Sequence, residues 1–335
     1  MEKKLIPGLD VLKFIMAFLI VDNHVKGYLI TPPIIQQHVI QPIEGLAVPT
    51  FFVISAYLFF HKLRKQENQG KALIHYEKRI LILYSFWTLV WLPIILMQRT
   101  EYRQGSVIEG IGLFIKDFFL RDTFDASWFF VALLIGVPIV YGLGKIFKEW
   151  GVWIVPVFIR VVIDHHQDMP LAISNAYNWF ATYINPNPGL SFLAGLMWIS
   201  IGYILSNPKV VQAFQKIPNY GAWLLFLGLM VIPKFFPTIP IVSFLIYISS
   251  VAILFIAAYS WQLPDHPRLY KRFRAYSIIF YCFHDSFKKI PKYLFHNIHN
   301  GPLLYVITIL ACWLASEVIL RLQDKRYFRW LRYAH

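Results

Sequence analysis

Apolar positions in this chain come in long, nearly unbroken runs, not in the two-residue alternation of strands or the one-sided stripe of soluble helices. A helix that crosses a bilayer needs about 20 mostly apolar residues. Ten runs meet or approach that length: 9–30, 46–61, 79–98, 127–147, 149–163, 189–206, 220–235, 239–260, 275–295 and 302–321. The pattern predicts an all-α, polytopic membrane helix bundle of about ten transmembrane helices, forming one domain over residues 1–335. The connections between runs alternate in charge. Lys3/Lys4, then Lys62, Arg64, Lys65, Lys71 and Lys78, then Lys145/Lys148, Lys209/Lys216, Arg268 to Arg274 and Lys325 to Arg332 fall on one side. The opposite connections, such as TPPIIQQHVIQPIEG, DHHQDMP and HNIHNG, carry almost no Lys or Arg, although Arg99 to Arg121 is mixed in sign. The positive-inside rule makes the first side cytoplasmic, so both termini are expected there, in a multi-pass protein of the inner cell membrane.

Composition agrees: 57% of the 335 residues are hydrophobic, 15% are charged, and mean hydropathy is +0.52, leaving too little polar surface for a soluble globule. The net charge of +14 sits between apolar runs, where it sets topology and meets lipid headgroups, so nucleic acid is not an expected partner. Cys282 and Cys312 each lie within an apolar run and support neither a disulfide framework nor a thiolate metal site. The amino end imitates a signal peptide, but no small-residue cleavage site follows Asp22-Asn23-His24, and the run is read as the first helix.

That first run, VLKFIMAFLIVDNHVKG, keeps ionisable groups where lipid disfavours them. The eleven-residue step from Lys13 to His24 places both on nearly one helix face, about 16 Å apart. Charge at the bilayer centre costs about 2.5 to 3.5 kcal/mol on insertion scales, so such groups face a bundle interior or a watered cleft. Asp22 and His24 point in different directions on a helix. Asp22 is instead set to pair with Lys26, and Tyr28 is the side chain that His24 reaches on its own helix.

At these residues the sequence resembles the membrane acyltransferase-3 family, whose members O-acylate bacterial surface glycans and related acceptors. The signature is a first helix opening with Leu-Asp and a basic residue, with histidine eleven positions later. Here it is GLDVLKFIMAFLIVDNH, with Lys13 where arginine is more common. VPTFFVISAYLFF resembles the family's aromatic run before Ser-Gly, with Ala56 in place of glycine. Lys78/Arg79, SWFFVALL, FLAGLMWISIGYIL and YSIIFYCFHDSF follow in family order and extend the likeness over nearly the whole chain.

The resemblance implies a cytoplasmic acyl-CoA donor, commonly acetyl-CoA, no permanently bound cofactor, and a glycan or lipid-linked sugar acceptor presented across the membrane. Lys13 and Arg79 are the candidate docking cations for the donor phosphates, Arg79 being equally a topology anchor. An alcohol attacks a thioester usefully only as its proton departs, which asks for a base with a pKa near neutrality. His24 is the expected catalytic residue, either as general base or as a nucleophile that carries the acyl group transiently. Ser55 either supports the substrate or bonds the Phe51 carbonyl four residues back. His284 matches a family histidine and is a candidate substrate group, while Asp285 has Lys288 and Lys289 three and four positions on for local charge compensation. Trp128 is an interfacial aromatic or a supporting residue. His165 and His166 near Asp164 and Asp168 lack a third ligand at distinctive spacing, and no metal is expected. The rival classes are a transporter or flippase for a lipid-linked sugar or small solute, and a non-catalytic membrane scaffold.

Overall fold

The computed structural model describes residues 6–235, 239–295 and 297–335; Lys3, Lys4 and His296, used in the charge pattern above, lie outside the described residues. Among those described there is no strand. Besides the short turns Pro33–Ile35, Gln41–Gly45 and Lys148–Gly151, the helices are α1 (Pro7–Val25), α2 (Ala47–Leu63), α3 (Gln69–Gln98), α4 (Val107–Leu120), α5 (Trp128–Ile146), α6 (Ile154–His165), α7 (Leu171–Tyr183), α8 (Phe192–Leu205), α9 (Pro208–Gln215), α10 (Asn219–Phe235), α11 (Pro240–Tyr259), α12 (Pro267–Phe287), α13 (Lys289–Leu294) and α14 (Pro302–Leu322).

Each apolar run corresponds to a helix, while α4, α7, α9 and α13 occupy stretches read as connections or run ends. α4 carries its own start signal. The Ser106 hydroxyl accepts from the Glu109 N–H, and the Glu109 carboxylate accepts from the Ser106 N–H, a reciprocal capping box. Among the described residues five segments are long and apolar enough to cross a membrane: Pro33–Leu63, Gln69–Gln98, Asp125–Ile146, Ile241–Tyr259 and Pro302–Leu322. α1 and α12 are long enough but carry charge within their length, Asp10, Lys13 and Asp22 on one, Arg268, Lys271, Arg272, Arg274 and Asp285 on the other.

The described chain forms two compact units, one from Met1–Ile54 with Asn207–His335 and the other from Ser55–Ser206. In the first, α1 and α12 run parallel in a fixed register. Asp10 accepts two hydrogen bonds from the Arg274 guanidinium, both at 2.8 Å, and His24 meets Lys288 at 3.1 Å; each pair is separated by 264 positions. Between these polar ends the seam is aromatic, with Phe14 stacked on Phe273 at 4.6 Å and Phe18 against Phe280 at 5.3 Å. α14 returns antiparallel: the Gly301 N–H donates to the Val25 carbonyl at 2.8 Å, and Glu317 near its other end binds Arg272 and Tyr276. α11 closes the other flank, where Gly8 allows backbone contact, since a Cβ there would lie 1.9 Å from the Ala258 oxygen.

In the second unit, Tyr84 of α3 stacks on Phe118 of α4 at 4.4 Å and on Phe130 of α5 at 5.8 Å. Gly136 of α5 lets Ile199 of α8 approach to where a Cβ would be 2.6 Å from its Cδ1. Arg64 ties the unit's ends, bonding Ser206 Oγ at 3.0 Å, pairing with Glu149 and lying over the Tyr203 ring at 4.6 Å. The mixed-sign segment after α3 is internally paired: Arg99 binds Asp122 at 2.6 Å, and the Tyr102 hydroxyl donates to Asp117 at 2.7 Å.

Candidate active site

His24 sits in the last turn of α1, and the parallel register sets it beside the last turn of α12. Its Nδ1 is 3.1 Å from Lys288 Nζ and 3.7 Å from Asp285 Oδ1, and its ring centroid is 4.9 Å from that of His284. Asp285 has no exposed surface and holds Lys288 at 2.5 Å and Lys289 at 3.6 Å. The expected charge compensation within α12 is therefore present, and the same lysine also reaches His24. The side chain of His24 is 31% exposed, which leaves the imidazole accessible at the rim of an otherwise buried cluster.

Hydrogen-bond chemistry assigns the tautomers. An ammonium only donates, so the His24 nitrogen facing Lys288 carries the lone pair and Nε2 carries the hydrogen. For Nε2 to act as a base, the ring hydrogen must move to Nδ1, which requires Lys288 to leave that nitrogen so that Nδ1–H can face Asp285, whose oxygen lies 3.7 Å away. His284 has the opposite tautomer. Its Nδ1–H donates to the Phe280 carbonyl at 2.9 Å, and its buried Nε2 has no hydrogen-bond partner among the described residues.

The ligand atoms of His24, His284 and Asp285 lie within 4.8 Å of one another, a set that could surround a divalent ion. The Lys288 ammonium is already bonded to two of these groups, and with Lys289 it gives the cluster net positive charge, so an added dication meets repulsion. The His165/His166 stretch offers no comparable set: Arg160 holds Asp164 at 2.8 Å and His166 stacks on Tyr177.

The other sequence candidates divide between the units. Lys13 is buried on α1 with Nζ 5.3 Å from the centre of the Phe51 ring. Asp22 turns to Glu44, with which it shares a hydrogen bond, and not to Lys26. The reason is local: α1 ends at Val25, and Lys26 adopts a left-handed conformation with φ 53°, which breaks the i,i+4 geometry. The same ending removes the expected His24–Tyr28 neighbourhood, since Tyr28 lies buried in the turn Gly27–Ile30. Ser55, half-buried on α2, exposed Arg79 on α3 and half-buried Trp128 at the start of α5 belong to the second unit.

Sequence reasoning missed three contributors to this geometry. Asp10 stood in the quoted Leu-Asp motif without an assigned role, Arg274 was counted only as a topology charge, and Glu44 drew no attention. The one local signal was a carboxylate three residues before Lys13 in an apolar helix, which requires a cationic partner.

A family model, Acyl_transf_3, described as an acyltransferase domain, matches residues 6–319. An amino-acid racemase of Enterococcus faecalis is 24% identical over 135 residues, a stretch covering 40% of this chain and 19% of the racemase. No solved structure matches.

Proposed function

We propose, because this chain belongs to the Acyl_transf_3 family and is therefore an acyltransferase, that it transfers an acyl group, most simply acetyl, from cytoplasmic acyl-CoA to a hydroxyl of a surface polysaccharide or related glycan. The observation that carries this reading is the accessible His24 imidazole with a buried carboxylate within reach of its Nδ1. Its apolar helices make it a membrane protein; ten crossings, cytoplasmic termini and residence in the inner membrane are part of the proposal, supported by the charge alternation. The racemase likeness covers under a fifth of that protein and lends no reaction to this chain.

In the proposed reaction the acceptor oxygen attacks the thioester carbonyl carbon, a C–O bond forms and the C–S bond breaks. The hydroxyl proton passes to His24 and then to the departing thiolate, so the products are ester and free thiol. Asp285 orients the imidazole once Lys288 has released Nδ1. His284 lines the same cluster as a substrate-side group. Lys13 is the donor-side cation of the unit that holds His24, and Asp22 and Tyr28 shape the turn that follows His24. The alternative route, with His24 as transient acyl carrier, uses the same atoms and differs in kinetics, giving a ping-pong pattern and a trappable acyl-histidine.

The test is transfer of radiolabel from acetyl-CoA to candidate glycans by purified protein in lipid nanodiscs. His24→Ala should abolish transfer while membrane insertion and abundance persist; unchanged turnover in that variant removes His24 from the mechanism.

A further inference from the structure

Lysines are scarce in the connections opposite the basic face, yet KKIPK places Lys288, Lys289 and Lys292 together at the His24 end of α12 and α13. Lys292 feels the charges of both neighbours and bonds Asn300 at 2.7 Å. One buried carboxylate, Asp285, faces Lys288 and Lys289. Lys288 and Lys289 against that one carboxylate leave a positive charge in excess beside the imidazole, and Lys292 adds a further ammonium that couples to both lysines. A cationic C-terminal turn complements the helix dipole, but a single lysine already at the cap satisfies that role. Positive charge on this face also opposes the topology signal carried by the rest of the chain. An excess maintained against both tendencies, next to the reactive group, fits a ligand that brings negative charge.

We infer that the acceptor is an anionic saccharide, carrying a carboxylate or phosphate ester near its reactive hydroxyl, and that Lys289 and Lys292 hold this oxyanion while the hydroxyl meets His24. Lys288 is the cation shared between site and ligand: an incoming anion offers its ammonium a new partner and so favours release of His24 Nδ1 to Asp285. The inference rests on the proposed acyl transfer for the word acceptor, but the anion site itself stands on charge and geometry alone.

Equilibrium dialysis of trigalacturonate, a phosphorylated galactotriose and neutral galactotriose against the protein in phosphatidylcholine nanodiscs tests it without turnover. The charged sugars should bind about tenfold tighter than the neutral one, which is about 1.4 kcal/mol. The gap should shrink between about 50 and 200 mM salt and vanish in a folded Lys289→Gln/Lys292→Gln variant, with acyl-CoA binding retained. The trigalacturonate and phosphorylated arms distinguish carboxylate from phosphate as the recognised group. Equal affinity for charged and neutral sugars, or a preference that survives in the double variant, overturns the inference. So does a variant that loses acyl-CoA binding and keeps the sugar preference, because the lysines then serve donor phosphates. Charge-selective binding with no label ever transferred from acetyl-CoA would instead refute acyl transfer and leave the anion site standing.

Discussion

Asp285→Asn separates a catalytic role for the buried carboxylate from simple neutralisation of its lysines. The change is nearly isosteric and removes the charge that faces Lys288 at 2.5 Å, Lys289 at 3.6 Å and His24 at 3.7 Å. Removing one member of a buried ion pair costs about 3 to 5 kcal/mol. The lysine side chains are 11% and 21% exposed, so some repolarisation by water is available and the lower end, about 3 kcal/mol, is expected. Losing the group that orients a general base should also lower kcat by about 10²- to 10⁴-fold. The double variant Asp285→Asn/Lys288→Met then deletes one charge of each sign. Thermal midpoint in nanodiscs should return toward the parent value because only the half-buried Lys289 stays uncompensated, whereas kcat should stay low because His24 has no carboxylate. Stability and transfer are measured on the same preparations. If kcat recovers together with the midpoint, Asp285 exists to balance Lys288 and the orienting role is refuted.

Three further outcomes follow from the geometry. Lys13→Ala should raise KM for acyl-CoA with kcat little changed, and a change confined to acceptor KM would misplace the donor. Asp10→Ala removes a bidentate, charge-assisted contact worth about 1.5 to 3 kcal/mol per charged hydrogen-bonded group, and the thermal midpoint should fall accordingly, with Asp10→Glu recovering part of the loss; no change would mean that the Arg274 contact does not hold α1 in place. Burial pushes the Asp122 carboxyl up to about 6 against the opposing pull of Arg99. A folded-state pKa above the unfolded one gives stability that is present at low pH and lost as pH rises through about 6. The thermal midpoint should therefore be higher at pH 5 than at pH 7.5, and Asp122→Asn should flatten that slope.

What the sequence disclosed depended on how local the cause was. Apolar run length needs only neighbours, and every run corresponds to a helix. α4 was hidden by its length and its mixed flanks, although Ser106-x-x-Glu109 is a readable start signal. His24, Lys13, Asp285 and Lys288 stood out because charge in apolar helices is costly. The pairing of Asp285 with Lys288 was local and readable, but that of His24 with both was not, because His24 and Lys288 lie 264 positions apart and no periodicity links α1 to α12. The Asp22–Lys26 and His24–Tyr28 expectations failed for a local reason that composition conceals: both assumed that α1 continues past Val25, while Lys26 turns left-handed and ends it.

The two helices whose charges exclude them from the apolar set are the two that build the site, and each supplies what the other lacks. Asp10 has Arg274, and fourteen residues later, about 21 Å along the helix, His24 has Lys288 and Asp285. Because both pairs share one sequence offset, a slide of α1 by a single turn, about 5.4 Å, would break them together. The aromatic seam between them resists a different motion, rotation, since Phe14 and Phe18 must stay against Phe273 and Phe280. Translation is thus pinned at two polar points and rotation along the apolar length. The distance from His24 to Asp285 is set partly by an ion pair at the opposite end of the helix, which makes Asp10 and Arg274 positioning residues for the proposed chemistry at His24, which they never touch.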